Sequence, residues 1–143
     1  MHSKKYVIAR FHFEDYFETD IIEKVDTAEL PKLGECSIIV YGDEGDRLPH
    51  FHLVNFNKNP KQPIDCCICI NEPRYFIHGN HRDTLTDAQA LALEKVMTSK
   101  SKIFPERSVW GVTKRLWSVA NSDEMLYRKR VPRYRDLNRY TPI

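Results

Sequence analysis

Midway along this 143-residue chain the spacing of its apolar residues changes, and that change constrains the fold more than any other feature. Before residue 78 they recur at every second position: Val7, Ala9, Phe11 and Phe13, then Cys36, Ile38 and Val40, then Ile64, Cys66, Ile68 and Ile70. Side chains of an extended strand alternate between faces, so each run predicts a strand with one apolar side. After residue 85 the apolar residues recur every three to four positions. Thr86-Asp87-Ala88-Gln89 reads as a capping box with Thr86 as N-cap, and Ala90, Leu93, Val96 and Met97 form the stripe behind it. A second stripe, Val109, Val112, Leu116 and Ala120, follows Pro105, which suits a first helical position; Trp110 and Trp117 beside it read as core. The expectation is an α+β fold, an antiparallel sheet of four to five strands over about residues 5–78 with two main helices, about 86–99 and 105–120, packed on one face.

One domain, residues 1–121, and a basic Arg/Tyr-rich extension, residues 122–143, is the expected organisation. The length suffices for a hydrophobic core without covalent staples. No apolar run approaches the roughly 18–20 residues of a membrane-spanning helix. The stretch after Met1-His2-Ser3-Lys4-Lys5 is short and interrupted by Arg10 and Glu14, so no secretory signal is read there and a cytoplasmic location is expected. Cys66, Cys67 and Cys69 crowd into one strand while Cys36 stands alone, a pattern that predicts reduced, buried thiols rather than a disulfide framework. Charge divides unevenly: eight basic against thirteen acidic side chains over residues 1–72, and fourteen against seven over residues 73–143. Such a division fits internal complementarity, self-association or an anionic partner for the second half.

The residues that carry chemistry start at Pro49-His50-Phe51-His52. A turn-rich acidic loop, Gly42 to Leu48, hands over there to a short strand, whose period of two puts His50 and His52 on one face. If Phe51 and Leu53 face the core, the opposite face gathers Arg10, His12, Tyr41, His50, His52, Asp65, Cys67 and Cys69. The competing assignment turns Val54 and Phe56 inward together with the histidines. Two imidazoles on one face can ligate a metal, with Cys67, Cys69, His78, His81 or Asp65 supplying further donors. No cofactor is called for by a fixed Cys/His spacing; zinc is the ion that His50, His52 and Cys67 would suit. The same pair could instead share acid–base work on a phosphodiester, with Arg10, Arg74 or Arg82 clamping the anion. Several classes drop out. A cupin needs a glutamate shortly after its His-x-His, and residues 53–63 contain none; a histidine-triad hydrolase needs a third alternate histidine, and position 54 is Val. No nucleophile elbow is present.

The last segment interleaves Arg128, Lys129, Arg130, Arg133, Arg135 and Arg139 with Tyr127, Tyr134 and Tyr140. Arginine and aromatic residues together suit phosphate contact plus base stacking, and they equally suit docking on the acidic first half.

The order of these features resembles a known family. An Arg10-Phe11 strand, a strand from Ser37 to Tyr41, Pro49-His50-Phe51-His52, the stretch from Ile68 to Phe76 with Gly79, an amphipathic helix from Leu85, and Arg115-Leu116-Trp117 followed by Asn121 are similar to domain-of-unknown-function family 4160. These are small bacterial proteins marked by the Pro-His-Phe-His strand. The resemblance covers about residues 5–121. It implies a short cytoplasmic protein encoded beside another small gene, in the manner of toxin–antitoxin pairs, and carries no established activity. The long acidic loop (14–33) and basic tail (122–143) depart from the family pattern and suggest a host- or phage-specific binding role. The resulting expectation is an interaction module of toxin–antitoxin or mobile-element type. It would bind protein or nucleic acid, and no membrane, through Arg10, Tyr41, Arg128, Lys129, Arg130, Arg133 and Arg135. The alternatives are a hydrolase or nuclease with His50 and His52 as catalytic residues, and a metal-binding protein.

Overall fold

The computed structural model describes residues 4–16, 35–44, 47–55, 63–122 and 130–143. Four antiparallel strands form a meander in the order β1 (Lys5–His12), β2 (Glu35–Tyr41), β3 (His50–Asn55) and β4 (Asp65–Cys69). Two helices follow, α1 (Asp87–Thr98) and α2 (Val109–Ala120), making the α+β fold that the two apolar periods predict. The stretch Arg74 to His78, read in sequence as a further strand, only lines the free edge of β4. The Cys69 N–H donates to the Arg74 carbonyl and the Phe76 N–H to the Cys67 carbonyl, each at 2.9 Å. Most of the acidic loop expected over 14–33 lies outside the described residues; Phe13–Tyr16 form a 3₁₀ turn.

One face of the sheet joins the helices in the main core, through Phe11, Cys36, Ile38, Val40, Phe51, Leu53, Cys66, Ile68 and Ile70 with Leu93, Val96, Met97 and Trp117. The β1 alternation needs a correction here. Val7 pairs with Ile39 and Ala9 with Ile38, so Ile8 is an extra residue in a β-bulge. A bulge resets the phase of everything on one side of it. Ile8 is therefore in the core, while Val7 leaves the Ala9/Phe11 face that strict alternation assigned it.

The first helix begins as its sequence signals: the Thr86 hydroxyl accepts from the Gln89 N–H (3.1 Å) and the Gln89 side chain accepts from the Thr86 N–H (2.8 Å). The second starts later than the Pro105 signal suggests. Ser108 is its N-cap, accepting from the Gly111 N–H at 3.0 Å. Ser101 Oγ accepts from the N–H groups of Ile103 and Phe104, and the Ser101 N–H donates to the Arg107 carbonyl, so residues 101–107 are held as a turn instead. Local side-chain-to-backbone bonds of this kind compete with helix.

At its far end α2 fixes the turn between β2 and β3. Asn121 Nδ2 donates to the Tyr41 carbonyl (3.1 Å), and Asn121 Oδ1 accepts from the Glu44 N–H (2.7 Å). Gly42 sits so close to the helix end that a Cβ there would lie 3.3 Å from the Ala120 carbonyl oxygen. Asn121→Ala is expected to cost about 1–3 kcal/mol, because it leaves a part-buried carbonyl and N–H without their partner. Urea denaturation measures this; a loss under about 0.5 kcal/mol, the range of an ordinary surface change, would mean the turn is held by other contacts.

Residues 130–143, set apart in sequence as a basic extension, pack into the same core. Tyr134 and Leu137 are fully buried within a 3₁₀ helix (Tyr134–Arg139) against α1, and Ile143 pairs through its backbone with Tyr75 and Ile77.

A buried histidine–cysteine cluster

The sheet's second face is covered too, and the cover carries the chemistry. After β4 the chain folds back so that Phe76, His78 and His81 lie over His50 and His52. The His81 N–H donates to the His78 carbonyl at 3.0 Å across a turn in which Gly79 takes a left-handed φ of 55°. Glycine populates that region without the penalty a Cβ brings. The loop is tied to β4 at its end: the Asp65 N–H donates to Asp83 Oδ2 (2.8 Å) and the Asp83 N–H to the Asp65 carbonyl (3.2 Å).

His50 and His52 share a face, as their spacing requires, and strand register places Cys67 directly opposite His52. Under the loop they are buried: His50 is 0% exposed, His52 1% and Cys67 1%. The sequence reading put the core on one side of β3 and a chemical face on the other; both sides of His50–Leu53 are in fact buried. The His50 ring stacks on Phe76 (4.8 Å between centroids, 20° between planes) and lies 5.0 Å from Trp117. Tyr41 meets the His52 ring edge-on at 4.8 Å. His52 is also 5.3 Å from His78 and 4.6 Å from His81, centroid to centroid.

Hydrogen bonds set the tautomers. His50 Nδ1 donates to the Leu48 carbonyl at 2.7 Å, and its Nε2 faces Glu44 in the cluster. His81 Nδ1 is 2.6 Å from Asp65 Oδ1, a carboxylate–imidazole pair. His78 Nδ1 faces the Arg47 guanidinium (2.6 Å), and its Nε2 lies 3.4 Å from Cys67 Sγ. Among the described residues, neither nitrogen of His52 has a hydrogen-bond partner. Glu44 Oε2 reaches both ring pairs: it lies against His50 Nε2 and is 3.6 Å from His52 Nε2. The first of these contacts is an ion pair when the His50 imidazole carries its proton.

These contacts decide the protonation states. Burial opposes ionisation of Glu44, but the flanking His50 and His52 outweigh it and hold the carboxyl well below the usual carboxylate range. Burial pushes His52 down, against the pull of Glu44, and the neighbouring His50 and His81 add to the push. His78 is lowered to about 4 by burial and by the crowding of His50, His52, Arg47 and His81. Burial, then the nearby Glu44 charge, raises the Cys67 thiol far above the ordinary thiol range. His52 and His78 are therefore held toward the neutral imidazole, Glu44 toward the carboxylate and Cys67 toward the protonated thiol.

Ligand atoms of His50, His52, Cys67 and His78 all lie within 4.8 Å of one another, and so do those of His52, Asp65 and His81. Three of these six positions, His50, His52 and Cys67, were named in sequence as a metal site, and His78, His81 and Asp65 as possible additions. Glu44 was read only as turn chemistry. Its signal, an acidic residue in the loop leading into the histidine strand, is one that most exposed turns also show. The binding residues expected elsewhere separate from this centre. Tyr41 belongs to it. Arg10 is exposed on β1 and borders a different hollow, 390 Å³ in volume, with Val7, Phe11, Val96 and Val109. Arg128 and Lys129 lie outside the described residues; Arg130 is exposed; Arg133 pairs with Asp136 (3.2 Å) and Arg135 with Glu94.

Fold and cluster together define a small α+β protein with a metal-ligand-rich centre between a sheet face and a loop. Comparison with models of protein families, with curated proteins and with solved structures finds no match. No described helix is long and apolar enough to cross a membrane.

Proposed function

We propose that this chain is a metal-binding protein whose centre, His50, His52, Cys67 and His78, takes a zinc-class divalent cation. The observation that carries this reading is the mutual approach of those four ligand atoms to within 4.8 Å, three of the four residues being buried. Zinc with nitrogen and sulfur ligands at about 2.0–2.3 Å in a tetrahedron has ligand–ligand edges of about 3.3–3.8 Å, so the side chains need close in by only about 1 Å. Three imidazoles and a thiol are also the donor types that select zinc over calcium or magnesium. His50 supports the same reading through its Nδ1 bond to a backbone carbonyl, the usual way a ligating histidine is oriented. Burying His52 with two unpartnered nitrogens costs about 1–3 kcal/mol for each, a cost that a bound cation offsets.

With four protein donors the site has the closed form of structural zinc rather than the open form of catalytic zinc. Its effect would be to clamp the loop of residues 76–82 onto the sheet. Ligation by His78 Nε2 places the ring proton on Nδ1, so the exposed Arg47 turns away when the cation binds, and the Cys67 proton leaves to solvent. The interaction role implied by the resemblance rests on the Pro-His-Phe-His strand, which would present the same first two donors in any protein that shares it. Of the tail's arginines, Arg133 and Arg135 already face Asp136 and Glu94 within the domain.

Cobalt tests the centre, because a thiolate on Co²⁺ gives a near-ultraviolet charge-transfer band. The untagged full chain is expected to show that band, and Cys67→Ser to abolish it although Cys36, Cys66 and Cys69 remain. A chain that takes up no cobalt, or a band that survives Cys67→Ser, would overturn the proposal.

A further inference from the structure

We infer that the cluster holds two divalent cations, the second at its rim between Asp65 and His81, with His52 shared between them. This rests on the first site proposed above and extends it. Ligand atoms of His52, Asp65 and His81 lie within 4.8 Å of one another, and the His52 and His81 rings stand nearly perpendicular at 4.6 Å.

The state of His52 separates one centre from two. An imidazole carries its two nitrogens on different edges of the ring, and a single cation uses one of them. The other nitrogen then normally donates to a carbonyl or carboxylate, which fixes the ring. His50 follows that rule through Leu48, while the 2.6 Å contact of His81 Nδ1 with Asp65 Oδ1 is the one a rim cation would replace. His78 Nδ1 instead accepts from Arg47, which turns away on ligation. His52 has no such anchor: at 1% exposed, neither of its nitrogens is hydrogen-bonded among the described residues, Glu44 Oε2 standing 3.6 Å from Nε2, and it is the one histidine common to both donor sets. A ring in that position has a use for both edges when a cation lies on each.

Charge supports two cations as well. Glu44 and the Cys67 thiolate bring negative charge to the inner site, and Asp65 brings it to the rim. The His52 ring, once both nitrogens are ligated, has given its remaining proton to solvent and is an imidazolate. Four negative groups then balance two divalent ions. The side chains of His81 and Asp65 are 33% and 40% exposed, so the rim site is reached from solvent while the inner one is closed. A first-row ion that accepts imidazole and carboxylate together, zinc, cobalt or copper, is the class that fits.

The test uses the untagged full chain and metal salts alone. Titration with Co²⁺ is expected to end at a second equivalent, counted by native mass spectrometry, with the sulfur-to-cobalt band complete after the first. The double variant Asp65→Asn/His81→Gln changes only rim side chains; it is expected to stop at one equivalent with the band unchanged. A wild-type chain that shows the band but saturates at one equivalent would overturn this inference alone, as would a double variant that still binds two. Absence of the band in the wild type would overturn the inner site, and this inference with it. Sharing of His52 has its own readout: loading with two equivalents of Cu²⁺ is expected to weaken the electron paramagnetic resonance signal through coupling across the imidazolate. The full signal of two isolated ions would show that the ring is not shared.

Discussion

Zinc at a thousandfold excess over its dissociation constant is expected to raise the thermal midpoint of this chain by about 10 °C, and a chelator to reverse the shift. A ligand that binds only the folded state at that excess stabilises it by about 4 kcal/mol. For a domain near this size each kcal/mol moves the midpoint by roughly 2–4 °C. The unfolded chain keeps four cysteines and six histidines that also bind zinc, which pulls the shift toward the lower end of that product. His52→Ala removes the ring between the two donor sets, so the zinc-dependent part of the midpoint is expected to vanish while the fold persists. Differential scanning fluorimetry of both proteins, with zinc and with chelator, measures this. A wild-type midpoint that ignores zinc would remove the clamp from the account.

The second large effect concerns the C-terminal segment. Tyr134→Ala is expected to destabilise the fold by about 3–5 kcal/mol, the cost of removing a large buried aromatic side chain and leaving a cavity. The ring is fully buried, lies edge-on to Phe51 at 5.9 Å, and its hydroxyl donates to the carbonyls of Ile70 (2.9 Å) and Cys69 (3.3 Å). Tyr134→Phe keeps the ring and loses only those bonds, so about 1–2 kcal/mol is expected. Urea denaturation of the two variants separates packing from hydrogen bonding. Wild-type stability in Tyr134→Ala would return residues 130–143 to the status of a solvated basic tail. The contacts instead make the segment part of the domain, with Arg135 against Glu94 and Asn138 Nδ2 donating to both the Leu85 carbonyl and Asp87 Oδ1 at 2.9 Å.

That segment shows why part of this molecule was not legible in advance. Arg133, Arg135 and Arg139 among tyrosines look the same in sequence whether they meet phosphates or the carboxylates of Glu94 and Asp136. Composition reports the residue types and not the partner, which for Arg135 is Glu94 on helix α1, some forty residues away, and for Arg133 and Arg139 is Asp136 beside them. The bulge at Ile8 is a second case. Alternation in β1 reads cleanly as Val7, Ala9, Phe11 and Phe13, yet one inserted residue moves Val7 off that face, and no turn residue marks the place. Pro105 is a third, a sound helix-start signal overruled by Ser101 four residues before it and Ser108 three after.

For the candidate site the division is sharp. His50 and His52 share a face because strand geometry has a period of two, and that much follows from Pro49-His50-Phe51-His52 alone. The shift from a period of two to one near 3.6 likewise determined the α+β class, since each period can bury its apolar side in only one kind of element. What covers the histidine face depended on tertiary structure. Strand register set Cys67 opposite His52, Asn121 at the end of α2 fixed the turn that carries Glu44, and a glycine turn brought His78 and His81 over the sheet. These residues come from four separate segments, and a local pattern specifies the side on which a residue points but not the distant segment that packs against it.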